Sequence, residues 1–198
     1  FLGGVNFWQF SAMQLLVVGG MAVLLWSSPY RRARLSSFLN PWEDPFNKGF
    51  QLTQSLIAIG RGEWFGVGLG ESVQKLSYLP EAHTDFLFAV LAEELGLAGV
   101  LLTLLLFLAL VWRVLTIARR ASEAGMKFQS YMAAAFALWV GMQSMINIGV
   151  NMGVLPTKGL TLQFLSFGGT GVVVTAMTVA VLLRIDRENR ILTGGRTQ

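Results

Sequence analysis

Apolar and polar residues alternate along this chain in long blocks. Four blocks stay apolar over helix-long distances, at about residues 7–27, 97–118, 129–150 and 170–185. Crossing ~30 Å of hydrocarbon takes roughly 20 apolar residues in a helix, so the blocks predict four transmembrane spans, the last beginning within the loop before it. Trp8 and Trp26 stand at the two ends of the first block, where an aromatic belt places them. The predicted fold class is therefore all-α, a polytopic membrane protein.

The polar blocks are as informative as the spans. Ser28-Pro29 stops the first helix, and the stretch from there to Asp85 is polar, aromatic and punctuated by glycine and proline. It far exceeds the usual connection length, which marks it as functional. Inside it, Asn40-Pro-Trp-Glu-Asp-Pro45 is turn chemistry, two prolines bracketing two carboxylates. Phe50 to Ile59 carries apolar residues at 52, 56, 57 and 59, which predicts a short amphipathic helix, too short to span. A glycine-rich run follows, with glycines at 60, 62, 66, 68 and 70. Phe86 to Leu95 predicts about three helical turns, which Gly96-Leu-Ala-Gly99 interrupts before the second span. Leu155 to Thr170 is a second irregular, glycine-rich loop, and Arg184 to Arg190 is a polar tail expected to be amphipathic or frayed.

Composition agrees with a membrane protein. Hydrophobic residues make up 54%, charged residues 13%, and the mean hydropathy is +0.57, whereas a soluble domain carries about 25% charged residues. Without cysteine there is no disulfide or thiol chemistry. The basic residues flank apolar spans and line no soluble face, which argues against nucleic acid as a partner. The chain starts at Phe1 and shows no charged leader or cleavage site, so it reads as the later part of a longer protein, without a signal peptide.

Charge placement adds orientation. The connector between the second and third spans holds Arg113, Arg119, Arg120 and Lys127 against Glu123, and the tail holds Arg184, Arg187, Arg190 and Arg196. Both lie on one side of the membrane, which the positive-inside bias assigns to the cytoplasm. The 28–85 and 155–170 loops then share the outer side. Arg31, Arg32 and Arg34 break the bias there and call for an anionic counterpart, a lipid headgroup or a phosphate.

The outer loop ends on Tyr78-Leu-Pro-Glu-Ala-His-Thr-Asp85, which contains the only histidine, His83, and the carboxylates Glu81 and Asp85. A carboxylate where a polar loop enters a lipid-soluble helix is costly and invites a functional reading. From the residues alone Asp85 has two readings, a functional carboxylate or, with Thr84, the N-cap of the helix from Phe86. Arg31, Arg32 and Arg34 are either phosphate grips, since guanidinium forks match phosphate oxygens, or ordinary interfacial anchors. Arg61, Lys75 and Lys158 are further candidates, and Lys158 is the only charge between Leu155 and Gly171. The 60–70 run lacks the Gly-Lys-Ser/Thr of a P-loop; its glycines permit tight turns or close approach. Glu93 and Glu94 either pair with arginines at depth or line a polar cavity. Gln143, Ser144, Asn147 and Asn151 read as interhelical hydrogen-bond partners.

Taken in order, these strings resemble the SEDS family, the group of FtsW, RodA and SpoVE. The match runs through Asn40–Pro45, Gln51-Leu-Thr-Gln-Ser55, Gly60-Arg-Gly-Glu63, Gly66-Val-Gly-Leu-Gly70, Tyr78–Asp85, Glu93-Glu94-Leu-Gly96, Leu155-Pro-Thr-Lys-Gly-Leu-Thr161 and Ser166-Phe-Gly-Gly169. The Asn40–Pro45 string favours the division-type members over the elongation-type. Departures are Gln163 where the family usually has proline, Phe167 where tyrosine is frequent, and Ser77 where many relatives are acidic.

The resemblance implies a ten-helix fold, of which residues 1–198 are the C-terminal part of a single membrane domain. It implies a peptidoglycan glycosyltransferase in the bacterial inner membrane at the division septum, active on the outer face. There it polymerises lipid II beside a class B penicillin-binding protein, an FtsI-like transpeptidase, and other divisome proteins. It makes Asp85 the essential carboxylate and general base, with undecaprenyl pyrophosphate as leaving group. Arg31, Arg32, Arg34, Arg61, Lys75, Glu81, His83 and Lys158 are the residues expected to bind substrate. No metal site follows from the spacing; a divalent cation, Mg or Mn, is the one cofactor to consider. Two rival readings use the same residues: a lipid II flippase, and a non-catalytic divisome scaffold.

Overall fold

A computed structural model describes residues 6–29, 38–47, 49–77, 79 and 83–194. The described residues are helices and connecting segments, with no strand among them. The helices are α1 (Phe7–Trp26), α2 (Phe50–Arg61), α3 (Val73–Ser77), α4 (Leu87–Glu123), α5 (Lys127–Asn151) and α6 (Gly169–Gly194). α1, α4, α5 and α6 are long and apolar enough to cross a membrane. The chain clusters into two compact units, residues 1–50 and 51–198.

In the first unit, the Asn6 side chain caps α1 by accepting the Trp8 N–H at 3.4 Å. The Asn40–Pro45 string is a turn whose carboxylates are used locally. Asn40 donates to Glu43 at 3.4 Å and Asn47 to Asp44 at 2.9 Å. Arg31, Arg32 and Arg34 lie outside the described residues.

The second unit is built on α4, α5 and α6. A three-residue turn at 124–126, with Gly125 at φ 82°, joins α4 to α5 and makes them antiparallel neighbours. Small residues let the helix backbones approach. Ala118 and Ala121 of α4 meet Ala133 and Ala137 of α5, and Leu182 and Ile185 of α6 close this end. Ile185 in that core explains why the 184–190 segment is helical and runs on to Gly194, past the expected end near residue 185. Asn189 donates to the Ile117 carbonyl at 3.1 Å, and Arg190 holds Asp186 at 2.8 Å. At the opposite end, Phe86, Ala89 and Val90 pack on Ala58 of α2 and on Leu79.

α4 begins at Leu87, ten residues before the expected span, and continues through a break at Gly96, whose φ is 64° and ψ −163°. The break removes helical partners from its neighbours, and the glycine-rich loop replaces them. Leu97 and Ala98 donate their N–H groups to the Glu63 and Trp64 carbonyls at 2.9 and 3.2 Å. The Glu93 and Glu94 carbonyls accept from Val67 and Gly68 at 3.0 and 3.1 Å. Four backbone bonds thus stitch the loop to the broken helix, and buried backbone groups require such partners. Contact this close explains the glycines: a Cβ at Gly62 would strike the Ala92 carbonyl, and one at Gly66 the Glu94 carbonyl.

Candidate active site

Asp85 sits in the turn 83–86 that leads into α4. The helix cap falls on Phe86, which makes no side-chain cap bond. The Ala89 N–H is met by the Asn151 side chain, at 3.1 Å, from the far end of α5. Phe86 serves as an apolar anchor, 3% exposed.

Three consecutive carbonyls of this turn are each held from α5 or the loop that follows it. His83 O accepts the Phe167 N–H at 2.9 Å, and Thr84 O accepts the Ser166 hydroxyl at 2.6 Å. Asp85 O accepts from both Asn147 and Asn151, at 2.9 and 3.0 Å. The backbone position of Asp85 is thereby fixed from outside its own helix.

The two donors to the Asp85 carbonyl belong to a polar ladder on α5. Gln143, Asn147 and Asn151 are spaced four residues apart, which puts them on one helix face. Gln143 donates to the Thr161 carbonyl at 3.0 Å and accepts from Gln163 at 3.1 Å. Asn147 also donates to the Leu160 carbonyl, so one buried side chain ties the Asp85 turn to the 155–168 loop. Ser55 of α2 fixes the Asn151 carbonyl at 2.8 Å. The expectation that these polar residues are interhelical partners holds for Asn151, which meets Ala89 of α4. Gln143 and Asn147 reach turn and loop backbone instead, and Ser144 donates within its own helix to the Val140 carbonyl at 2.8 Å.

The result is a carboxylate faced by a glycine. A Cβ built on Gly159 would lie 3.3 Å from Asp85 Oδ2. A tight turn, with the Leu160 N–H donating to the Lys158 carbonyl at 2.8 Å, brings that glycine in. Lys158 and His83 are both exposed, and they flank this position along the chain. Glu81 lies outside the described residues.

Arg61 and Lys75 belong to a second cluster. Glu93 is fully buried; Ser72 donates to it at 2.5 Å, and Arg61 approaches its other oxygen at 3.5 Å. Lys75 pairs with Glu94 at 3.6 Å. The reading of these carboxylates as partners of arginines holds for Glu93, whereas Glu94 pairs with a lysine. Among the described residues no group of three or more histidine or carboxylate side chains converges to hold an ion. A cavity of about 520 Å³ opens beside the site. Trp139, Gln143, Gln163, Phe164, Val172 and Thr175 contribute to its mainly apolar wall.

Gly159, Ser166 and Ser72 were not singled out by sequence reasoning. Gly159 and Ser166 fall within the strings that carry the family resemblance. Ser72 had no local signal.

The family model for cell cycle proteins of the FtsW/RodA/SpoVE type matches residues 1–191. The chain belongs to this family. Its FtsW/RodA/SpoVE relatives include a protein of Nitrosococcus halophilus named "Probable peptidoglycan glycosyltransferase FtsW". That protein is 58% identical over 96% of this chain and 49% of its own length. A Coxiella burnetii protein of the same name is 57% identical over 95% of this chain and 50% of its own. The chain spans about half the length of the curated relatives it matches. It also resembles a chain in a solved structure titled "Structural coordination of polymerization and crosslinking by a peptidoglycan synthase complex". The TM-score is 0.68 and the identity 28%, over 92% of this chain and 50% of that one.

Proposed function

We propose that the protein containing this chain is a peptidoglycan glycosyltransferase that polymerises lipid II, with Asp85 as general base. The observation that carries this reading is the mounting of Asp85. Its turn is held at three successive carbonyls, and its carboxylate lies close against Gly159 of the 155–168 loop, which fixes the group between two loops. A base must be held within hydrogen-bond reach of the proton it takes, and a rigid mount serves that need.

In the proposed reaction the 4-hydroxyl oxygen of an acceptor sugar forms a bond to the anomeric carbon of a donor. The bond from that carbon to the pyrophosphate oxygen breaks, and its electron pair leaves with undecaprenyl pyrophosphate. The hydroxyl proton passes to Asp85. Direct displacement inverts the anomeric centre. Exposed Lys158, with Arg31, Arg32, Arg34, Glu81 and His83, forms the proposed substrate-binding set. Arg61 and Lys75 join it through their pairs with Glu93 and Glu94. The apolar cavity beside Gln143 suits a polyprenyl tail. The names of the relatives and the synthase-complex neighbour support a septal inner-membrane enzyme working with a class B penicillin-binding protein.

The test is lipid II polymerisation by the full-length protein. Wild type should make glycan strands, and Asp85→Ala should lower the rate by at least ~100-fold, the usual reach of general base catalysis. Undiminished polymerisation by that variant sinks the assignment of the base. The apolar cavity would equally serve a flippase; lipid II translocation without polymer by the wild type would establish that reading instead.

A further inference from the structure

No charged residue occurs from Leu95 to Trp112 of α4. As helix this run reaches about 27 Å, close to the hydrocarbon thickness of ~30 Å. Glu93 and Glu94 with Arg61 and Lys75 form a charged layer immediately beyond its start. The hydrocarbon boundary therefore falls near Leu97. Leu101, Leu102, Leu105 and Leu106, each more than half exposed, continue the apolar surface inward.

The glycine-rich loop is tied to α4 at this same level. Its Glu63 and Trp64 carbonyls take the N–H groups of Leu97 and Ala98. Trp64 and Phe65 are nonetheless 70% and 85% exposed, two large aromatics held outward beside the boundary. Their backbone cannot withdraw without orphaning the α4 groups freed by the Gly96 break. Aromatic side chains in water at such a site are unfavourable, whereas the headgroup–acyl boundary is where they partition.

We propose that Trp64 and Phe65 insert into the phospholipid boundary of the leaflet remote from the arginine-rich 113–127 connector, and that they anchor the 60–70 loop to the membrane surface. The occupant is phospholipid, because main-chain bonds hold the pair at the level of Leu97 and Ala98, at the inferred hydrocarbon boundary and beside the charged layer that marks its edge. The loop then follows the bilayer through the same four bonds that complete α4, so the membrane itself sets the height of the Arg61 and Lys75 layer. This inference does not depend on the proposed enzymatic activity.

The chain has no cysteine, which suits site-specific labelling. The full-length protein, cleared of any other cysteine, is prepared as Phe65→Cys and, as a second reporter, Trp64→Cys. Exposed Glu71→Cys in the same loop is the aqueous control. Each is labelled with an environment-sensitive fluorophore and placed in nanodiscs of phosphatidylethanolamine and phosphatidylglycerol. Labels at 64 and 65 should emit to the blue of the label at 71. They should be quenched by a lipid spin-labelled high on its acyl chain and resist aqueous iodide. Iodide quenching equal to that at 71 overturns the proposal. Shielding from both quenchers also overturns it, since protein then covers the pair.

Discussion

Gly66→Ala should damage the join between the 60–70 loop and α4. Gly66 adopts φ 79°, and an added Cβ would meet the Glu94 carbonyl and the Leu95 nitrogen, which are backbone and cannot swing away. The left-handed conformation costs a non-glycine residue roughly 1–2 kcal/mol. Relieving the clash means drawing the loop back and giving up the bonds from Val67 and Gly68 to the Glu93 and Glu94 carbonyls. Each such bond contributes about 0.5–1.5 kcal/mol, so the combined loss is roughly 2–5 kcal/mol. That is a large share of the ~5–15 kcal/mol that keeps a typical domain folded. Gly60→Ala is the internal control: it lies in α2 with nothing within 4 Å of its Cβ. There alanine should be neutral or stabilise by about 0.5–1 kcal/mol. Thermal midpoints of the two full-length variants in one detergent give the comparison. Equal midpoints would refute the close approach and the stitched break with it.

Gly159→Ala should leave the thermal midpoint nearly unchanged and slow polymerisation, because its Cβ stands 3.3 Å from Asp85 Oδ2 and pushes the carboxylate by a few tenths of an ångström. A drop of about three- to tenfold in kcat is expected, below the ~100-fold attached to a 1 Å misplacement; an unaltered kcat contradicts the placement. Asn147→Ala leaves the Leu160 carbonyl without its donor while Asp85 O keeps Asn151. The expected loss is about 1–3 kcal/mol, read as a lower thermal midpoint. Ser72→Ala removes the 2.5 Å bond to buried Glu93 and should cost about 1–3 kcal/mol; a midpoint equal to wild type would show that Arg61 alone satisfies that carboxylate.

The long apolar runs and the Gly96 break were legible because both signals are one-dimensional. A run of some 20 apolar residues announces a span, and glycine announces a place where a helix can open. What fills the opening was not legible. Residues 62–68 satisfy the break with main-chain groups, and no side-chain pattern at 62–68 states which carbonyls they will meet. The polar tail was legible only as amphipathic or frayed; Ile185 and Asn189, packed and bonded against the neighbouring helices, decide for the amphipathic helix.

Asp85 shows where sequence reasoning stops. Its type and its place at a helix mouth were enough to mark it, and local rules then offered the cap. One N–H of the first turn, that of Ala89, is met by Asn151, 62 residues away, and no local rule reaches that far. Ser166 and Phe167 act across a similar distance in the chain. All of them bond to carbonyls, which every residue possesses. The identity of residues 83–85 therefore places no demand on their holders, and their holders leave no mark on residues 83–85. Main-chain mounting fixes where the Asp85 carboxylate stands without specifying which side chain stands there. That is why the mount cannot be read from the motif that contains Asp85.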